Sequence, residues 1–120
     1  MARSALILFA HGARDPRWAV PFERVLEHVR KAAPQRSAML AYLEMMTPDL
    51  PSAIATQVAQ GFDEITVVPL FLGLGGHLRS DLPRLIERAR ETHPGLIIDV
   101  KGPAGEDDAV VAALCAYATN

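Results

Sequence analysis

Short apolar runs alternate with amphipathic stretches along the chain. Four runs have the length and composition of strands, and they cover residues 5–10, 38–43, 65–68 and 96–100. The first run is apolar throughout, which is typical of a parallel strand covered on both faces of its sheet. The third run is the richest in β-branched residues, which favour strands. The pattern therefore predicts four strands of a parallel sheet.

The stretches that follow the first two runs have the apolar spacing of helices. Apolar residues recur at three- and four-residue intervals over residues 22–33, and Pro34 ends this helix. Thr47 or Asp49 is expected to cap a second helix, because short polar side chains accept hydrogen bonds from the first turn. Gly61 is expected to close that helix, since glycine is favoured just beyond helix C-termini.

Two more helices are predicted after the third and fourth runs. Asp81 is the expected N-cap of the third helix, and residues 93–95 (His-Pro-Gly) end it. A last helix is expected to begin within residues 106–108. Its predicted inward-facing side chains are Val110, Val111, Leu114 and Ala118.

The four strand–helix units define the expected architecture. Units of about 30 residues match the length of right-handed βαβ crossovers. We expect an α/β fold with one four-stranded parallel sheet, helices on both faces and strand order 2-1-3-4, as in half of a doubly wound fold. Residues 1–120 are predicted to form a single domain, since domains commonly contain about 100–200 residues.

Composition and charge narrow the class of protein. Half of the residues are apolar and 22% are charged, which provides a core and excludes a disordered chain. The net charge of −2 argues against a nucleic-acid-binding protein, because such proteins are usually basic. The first apolar run is too short for a membrane span or a signal sequence. Cys115, the single cysteine, is predicted to pack as a small apolar residue. We expect a cytoplasmic protein that binds neither nucleic acid nor membrane.

The residues that follow the first three strands carry the candidate chemistry. His11 follows the first strand, Glu44 the second, and His77 lies in the glycine-rich stretch after the third. Both intervals between them are 33 residues, close to one strand–helix unit, so we expect all three at the carboxyl edge of the sheet. Two imidazoles and a carboxylate can bind a divalent transition metal. The sequence thus predicts a metal site at this edge.

Other interpretations of the same residues are open. One is a non-catalytic module that binds or delivers a divalent metal. Another is a flavodoxin-like domain that uses residues 73–76 to bind an anionic cofactor. Nucleotide binding is disfavoured, because this stretch lacks both the P-loop lysine and the G-x-G-x-x-G fingerprint. Acyl transfer is disfavoured too, because the chain has no G-x-S-x-G segment.

Three longer segments carry a resemblance to a known family. They are HGARDP at 11–16, YLEMMTPDLP at 42–51 and VVPLFLGLGGHLRSDLP at 67–83. In these segments the chain resembles the short sirohydrochlorin chelatases, which belong to the class II tetrapyrrole chelatases. Ala13 and Leu82 depart mildly from the commoner forms of the first and third segments, HGSRDP and DIP.

The resemblance implies a function and a set of metal-site residues. The implied reaction is insertion of Co²⁺, with Fe²⁺ and Ni²⁺ as further candidates, into sirohydrochlorin without a nucleotide. The family's motif histidines correspond to His11 and His77, which would be catalytic and would bind the metal, and its metal-binding acid corresponds to Glu44. Because short members of the family pair with a second copy, a homodimer is expected.

The resemblance also implies where the substrate binds. Sirohydrochlorin carries carboxylates around an apolar ring, and arginine binds carboxylates bidentately. Glycine-rich backbone allows a ligand to approach closely. The predicted substrate-binding residues are Arg14, Arg79, Met45, Gly75 and Gly76.

Overall fold

A four-stranded parallel sheet forms the centre of the molecule in a computed structural model that describes residues 3–120. The strand order is β2-β1-β3-β4, which confirms the predicted order. The strands are β1 (Ser4–Ala10), β2 (Ser37–Tyr42), β3 (Glu64–Pro69) and β4 (Ile97–Val100).

Four α-helices connect and follow the strands. They are α1 (Val20–Ala32), α2 (Leu50–Ala59), α3 (Gly76–Thr92) and α4 (Asp108–Thr119). Short 3-10 helices, Pro16–Ala19 and Ala104–Glu106, precede α1 and α4. Within residues 3–120, none of the helices combines the length and the apolar composition that a membrane crossing requires.

The main core lies between the sheet and the pair α2 and α3. Phe9 of β1 is fully buried there, and it shares the core with Ile54 of α2 and Ile86 of α3. On the other face, α1 packs Phe22 and Leu26 against β1 and β2. Helices therefore cover both faces of the sheet, as predicted.

Helix α2 begins and ends at the predicted signals. Asp49 is the N-cap, and its Oδ1 accepts a hydrogen bond from the backbone N–H of Ser52 at 2.9 Å. These Ser52 hydrogen bonds lower the pKa of the Asp49 carboxyl. Gly61 follows the helix with φ of +92°, a left-handed conformation that favours glycine.

Helix α3 begins earlier than the sequence predicted. Its N-cap is Gly75, so Asp81 lies inside the helix and the prediction that Asp81 caps it is wrong. The reason is burial: Leu78 is only 8% exposed and extends the apolar stripe toward the N-terminus by one turn. As a consequence, His77 lies in the first turn of a helix and not in a loop.

Helix α4 does not cover the sheet. Its main neighbour is the 3-10 turn Ala104–Glu106 just before it. Val111 and Leu114 are 50% and 44% exposed, and Ala118 is exposed too, whereas Val110 is half-buried. The prediction that the side chains face inward is therefore wrong for Val111, Leu114 and Ala118. Cys115 is exposed, so the prediction that it packs as a small apolar residue is wrong too. An apolar stripe predicts a covered helix, but it does not specify which surface covers it.

Candidate functional site

The segments that follow β1 and β2 run side by side at the carboxyl edge of the sheet. Ala10 and Tyr42 are the last paired residues of the two strands. Beyond them, the N–H of Leu43 donates to the carbonyl of Ala10 at 2.9 Å, and that of Glu44 donates to the carbonyl of His11 at 3.1 Å. Backbone pairing therefore continues past the strands and places His11 beside Glu44.

Gly12 allows these two segments to approach each other. Its φ is +91°, a conformation that residues with side chains rarely adopt. A Cβ atom at this position would lie 1.9 Å from the carbonyl oxygen of Glu44. Only glycine fits both the backbone conformation and the space at this point.

The chain turns sharply at Met45, directly after Glu44. The N–H of Met46 donates to the carbonyl of Glu44 at 2.8 Å, and Met45 has φ of +64°. This pattern is a γ-turn with a positive φ at its centre, which is rare and strained. The left-handed conformation costs a non-glycine residue about 1–2 kcal/mol. The turn presents the Met45 side chain, which is 58% exposed, at the surface of the site.

The side chains of His11 and Glu44 form a contact pair. His11 Nε2 lies 3.1 Å from Glu44 Oε1, and both side chains are about half exposed. An ionised carboxylate only accepts hydrogen bonds, so a hydrogen bond between the two side chains requires the tautomer of His11 that carries its proton on Nε2. In that tautomer the lone pair of His11 is on Nδ1, where it can accept a proton or bind a metal ion.

The same spacing suits two ligands of one metal ion. First-row ions bind nitrogen and oxygen atoms at about 2.0–2.2 Å. Two adjacent ligands of an octahedral ion are therefore about 3.0 Å apart. Because the Nε2–Oε1 distance is 3.1 Å, loss of the Nε2 proton would leave both atoms at the spacing of adjacent ligands.

Phe71, in the segment after β3, packs against this pair. Its ring meets the His11 ring edge-on, with centroids 6.2 Å apart and planes at 62°. The same ring contacts buried Phe9 at 5.7 Å. The segment after β3 thus supplies an apolar wall beside the imidazole.

The glycine-rich stretch leads from Phe71 into the first turn of α3. A Cβ built at Gly75 or Gly76 would meet no described atom within 4 Å, so a ligand can approach this backbone. Arg79 lies in the same turn, and its Nε donates to the carbonyl of Leu74 at 3.0 Å. The first N–H groups of a helix have no partner within the helix and can bind anionic groups.

Two of the three predicted metal ligands are in contact. His11 and Glu44 meet, whereas His77 is exposed at the start of α3. Across residues 3–120, no three His, Cys, Asp or Glu side chains are grouped closely enough to hold an ion together. His77 as a third ligand stays a prediction, and it requires a movement of the His77 side chain or of its turn.

The arginines that follow His11 differ in their surroundings. The guanidinium of Arg17 donates to both carboxylate oxygens of Asp15, at distances of 2.7–3.1 Å. These hydrogen bonds hold the pKa of Asp15 below its ordinary value. Arg14 is exposed and three residues from His11, so its guanidinium is accessible to an anionic ligand.

The fold and this edge define a class of protein. They combine half of a doubly wound α/β fold with an imidazole–carboxylate pair beyond the carboxyl ends of the strands. A protein-family model described as CbiX matches residues 5–119. The chain therefore belongs to the CbiX family, which confirms the resemblance stated from the sequence.

The chain is also similar in sequence to proteins that are named as chelatases. A sirohydrochlorin cobaltochelatase from Methanopyrus kandleri is 29% identical over 82 residues, which are 68% of this chain and 57% of the relative. A sirohydrochlorin ferrochelatase from Bacillus subtilis is 28% identical over 112 residues, which are 93% of this chain and 43% of the relative. The chain thus spans about half the length of these relatives.

A solved structure has the same fold along nearly the whole chain. The crystal structure of a CbiX protein from Marinobacter aquaeolei is 35% identical and has a TM-score of 0.85. The match covers 97% of this chain and 94% of the other. It confirms the predicted α/β architecture.

Sequence reasoning did not identify Gly12 as part of the site. A usable signal was present, because Gly12 lies two residues beyond a buried strand, and a glycine at such a place can mark a close approach of two backbones. The strained turn at Met45 had no comparable signal, since methionine is not typical of positive φ.

Proposed function

We propose that this chain is a sirohydrochlorin chelatase that inserts a divalent metal ion into the tetrapyrrole. The observation that carries the proposal is the His11–Glu44 pair, with 3.1 Å between Nε2 and Oε1 at the carboxyl edge of the sheet. Membership of the CbiX family and the names of the relatives support it. Co²⁺ is the metal that we propose first, and Fe²⁺ and Ni²⁺ are the alternatives.

In this proposal, the metal ion is a substrate that the His11–Glu44 pair holds beside the macrocycle. Glu44 offsets part of the charge of the ion, and His11 replaces one of its water ligands. Both side chains are about half exposed, so a hydrated ion can reach them from solvent. An open site of this kind also suits release, because the ion has to leave the protein with the product.

Metal insertion releases two protons from pyrrole nitrogens, and the site has to accept them. A neutral imidazole accepts a proton near neutral pH. We place His77 in this role while His11 binds the ion, and His11 can accept a proton only after the ion has left it for the macrocycle. His77 faces solvent in the first turn of α3, where a bound macrocycle would bring its pyrrole groups within reach. A proton accepted there passes directly to bulk water.

The carboxyl edge of the sheet also provides contacts for the substrate, which is an apolar ring that carries carboxylates. Arg14 and Arg79 are exposed and provide guanidinium groups for its carboxylates. The open backbone at Gly75 and Gly76 adds N–H groups at the start of α3. Met45 provides an apolar contact for the face of the ring.

A spectral assay tests the proposal directly. Purified protein is mixed with sirohydrochlorin and Co²⁺, Fe²⁺ or Ni²⁺ in parallel, and the change in absorption is compared with the protein-free rate. We expect acceleration with at least one metal. Absence of acceleration with all three would overturn the proposal, and stoichiometric metal binding without turnover would favour a metal-binding module.

Three variants and one control locate the chemistry. His11→Ala, Glu44→Gln and His77→Ala should each lower the rate by about 10²-fold or more, the usual contribution of a general base. His28→Ala is the matched control, because His28 is an exposed histidine on α1 and should retain full activity. Full activity of His77→Ala would remove His77 from the proposed site.

We further propose that the chain works as a homodimer. Leu114 and Tyr117 of α4 are 44% and 84% exposed, and Ile97 of the edge strand β4 is 55% exposed. Burial of these apolar groups against a second copy would stabilise the pair. Light scattering should give twice the chain mass of 13.0 kDa, and Leu114→Asp should shift the protein toward one copy. A monomer at micromolar concentration would contradict the proposal. The cytoplasmic location stays a prediction.

A further inference from the structure

The 3-10 turn Ala104–Glu106 touches the segment that follows β3. The N–H of Gly105 donates to the carbonyl of Phe71 at 2.9 Å. A Cβ atom on Gly105 would lie 1.9 Å from the carbonyl oxygen of Leu72 and 2.4 Å from its Cα. The two backbones are in direct contact, and no side chain fits between them.

This contact joins the C-terminal part of the chain to the candidate site. Phe71, which Gly105 holds through its carbonyl, packs edge-on against the ring of His11. His11 in turn contacts Glu44. A continuous path of contacts therefore leads from Gly105 to the imidazole–carboxylate pair.

The middle of the segment, at Leu72 and Gly73, makes few other contacts. Leu72 is 71% exposed, and a Cβ at Gly73 would meet no atom of residues 3–120 within 4 Å. The segment is anchored on one side by the contact of Phe71 with Phe9 and on the other side by Gly105. Beyond the exposed part, Leu74 packs against the core and accepts the hydrogen bond from Arg79, so Gly105 is the contact that holds the Phe71–Leu72 backbone on the side away from the core.

We infer that Gly105 is a positioning residue, which fixes Phe71 and through it the orientation of the His11 ring. A larger residue at 105 has to displace the backbone at Leu72, because the nearest atoms belong to backbone and not to a flexible side chain. That displacement moves Phe71 away from the imidazole. The consequence for metal binding rests on the proposed function, whereas the consequence for the His11 ring does not.

The test compares Gly105→Ala with Gly102→Ala. Gly102 lies three residues earlier, and a Cβ there would meet none of the described atoms within 4 Å. The first readout is the nuclear Overhauser effect between the ring protons of Phe71 and His11. We expect it to be present in the wild type and in Gly102→Ala, and to be lost in Gly105→Ala. Its persistence in Gly105→Ala would overturn the inference.

The second readout is the Kd for Co²⁺ alone, and it includes Phe71→Leu. This variant leaves the Gly105 backbone contact in place and removes the ring beside His11. Loss of a group that orients a metal ligand typically weakens metal binding by about 10–100-fold. We expect the Kd to rise by this factor in Gly105→Ala and in Phe71→Leu, and to stay at the wild-type value in Gly102→Ala. A wild-type Kd in Phe71→Leu would overturn the inference even where Gly105→Ala fails to fold. A wild type that binds no Co²⁺ would count against the proposed function, and the ring-proton contact would then decide the inference.

Discussion

Gly12→Ala is the substitution for which the structure gives the most detailed expectation. The added Cβ would start 1.9 Å from the carbonyl oxygen of Glu44, and Cβ atoms in proteins essentially never lie closer than 3.0 Å to another atom. The two segments therefore have to separate by about 1 Å. In addition, alanine at φ of +91° carries the cost of a left-handed conformation.

The magnitude follows from these two effects. The left-handed conformation costs about 1–2 kcal/mol. Separation of the segments weakens the 3.1 Å hydrogen bond from Glu44 N–H to the His11 carbonyl, a bond worth about 0.5–1.5 kcal/mol. The expected loss in the free energy of unfolding is about 2–3 kcal/mol, or roughly 10 °C in Tm for a chain of this size. A displacement of about 1 Å at Glu44 should also lower the insertion rate by about 10²-fold.

Gly95→Ala separates the two effects. Gly95 has φ of +89°, but a Cβ there would meet no described atom within 4 Å. This control should lose only about 1–2 kcal/mol, for the backbone conformation, and should keep full activity. It lies at the opposite end of the sheet, in the turn before β4.

The assays are thermal unfolding by circular dichroism and the metal-insertion assay, on both variants and the wild type. The expected result is a larger loss of Tm and a loss of activity for Gly12→Ala alone. Equal losses of Tm in the two variants would refute the steric argument. A wild-type insertion rate in Gly12→Ala would refute the argument that the position of Glu44 sets the activity.

Three further predictions concern stability. Asp49→Ala should cost about 1 kcal/mol in urea unfolding, because α2 loses its N-cap. The pKa of Asp49 is lowered in the folded state, so the stabilisation by its carboxylate is complete above the ordinary value of 3.8 and is lost as the pH falls through the folded-state pKa. A difference in the free energy of unfolding between variant and wild type that persists in strong acid would contradict this reasoning. Met45→Gly should raise the free energy of unfolding by about 0.5–1 kcal/mol, because glycine relieves a backbone strain of about 1–2 kcal/mol and its own entropy cost is smaller. A lower free energy of unfolding would argue against strain at Met45. Leu50→Ala should lower the free energy of unfolding by about 2–5 kcal/mol in the same assay, since Leu50 is 1% exposed.

Local signals were sufficient for the strands and for helix α2. The four apolar runs became strands within one or two residues at each end, because a short apolar run flanked by turns has few other ways to bury its side chains. Gly61 and Asp49, one of the two predicted caps, marked the ends of α2, because capping depends on hydrogen bonds and φ angles within a few residues. The interval of 33 residues between His11 and Glu44, close to one strand–helix unit, also predicted that the two lie at the same edge of the sheet, where they are in contact.

The sequence by itself determined the α/β class, the strand order and the edge at which His11 and Glu44 meet, because each depends on local burial and on the handedness of short crossovers. Only the tertiary structure decided the start of α3, the exposed position of α4 and the contact of Gly105 with the segment after β3. These features depend on which surfaces are left for an element to cover after the sheet has formed. No pattern within one segment contains that information, since it belongs to the packing of segments that are far apart along the chain.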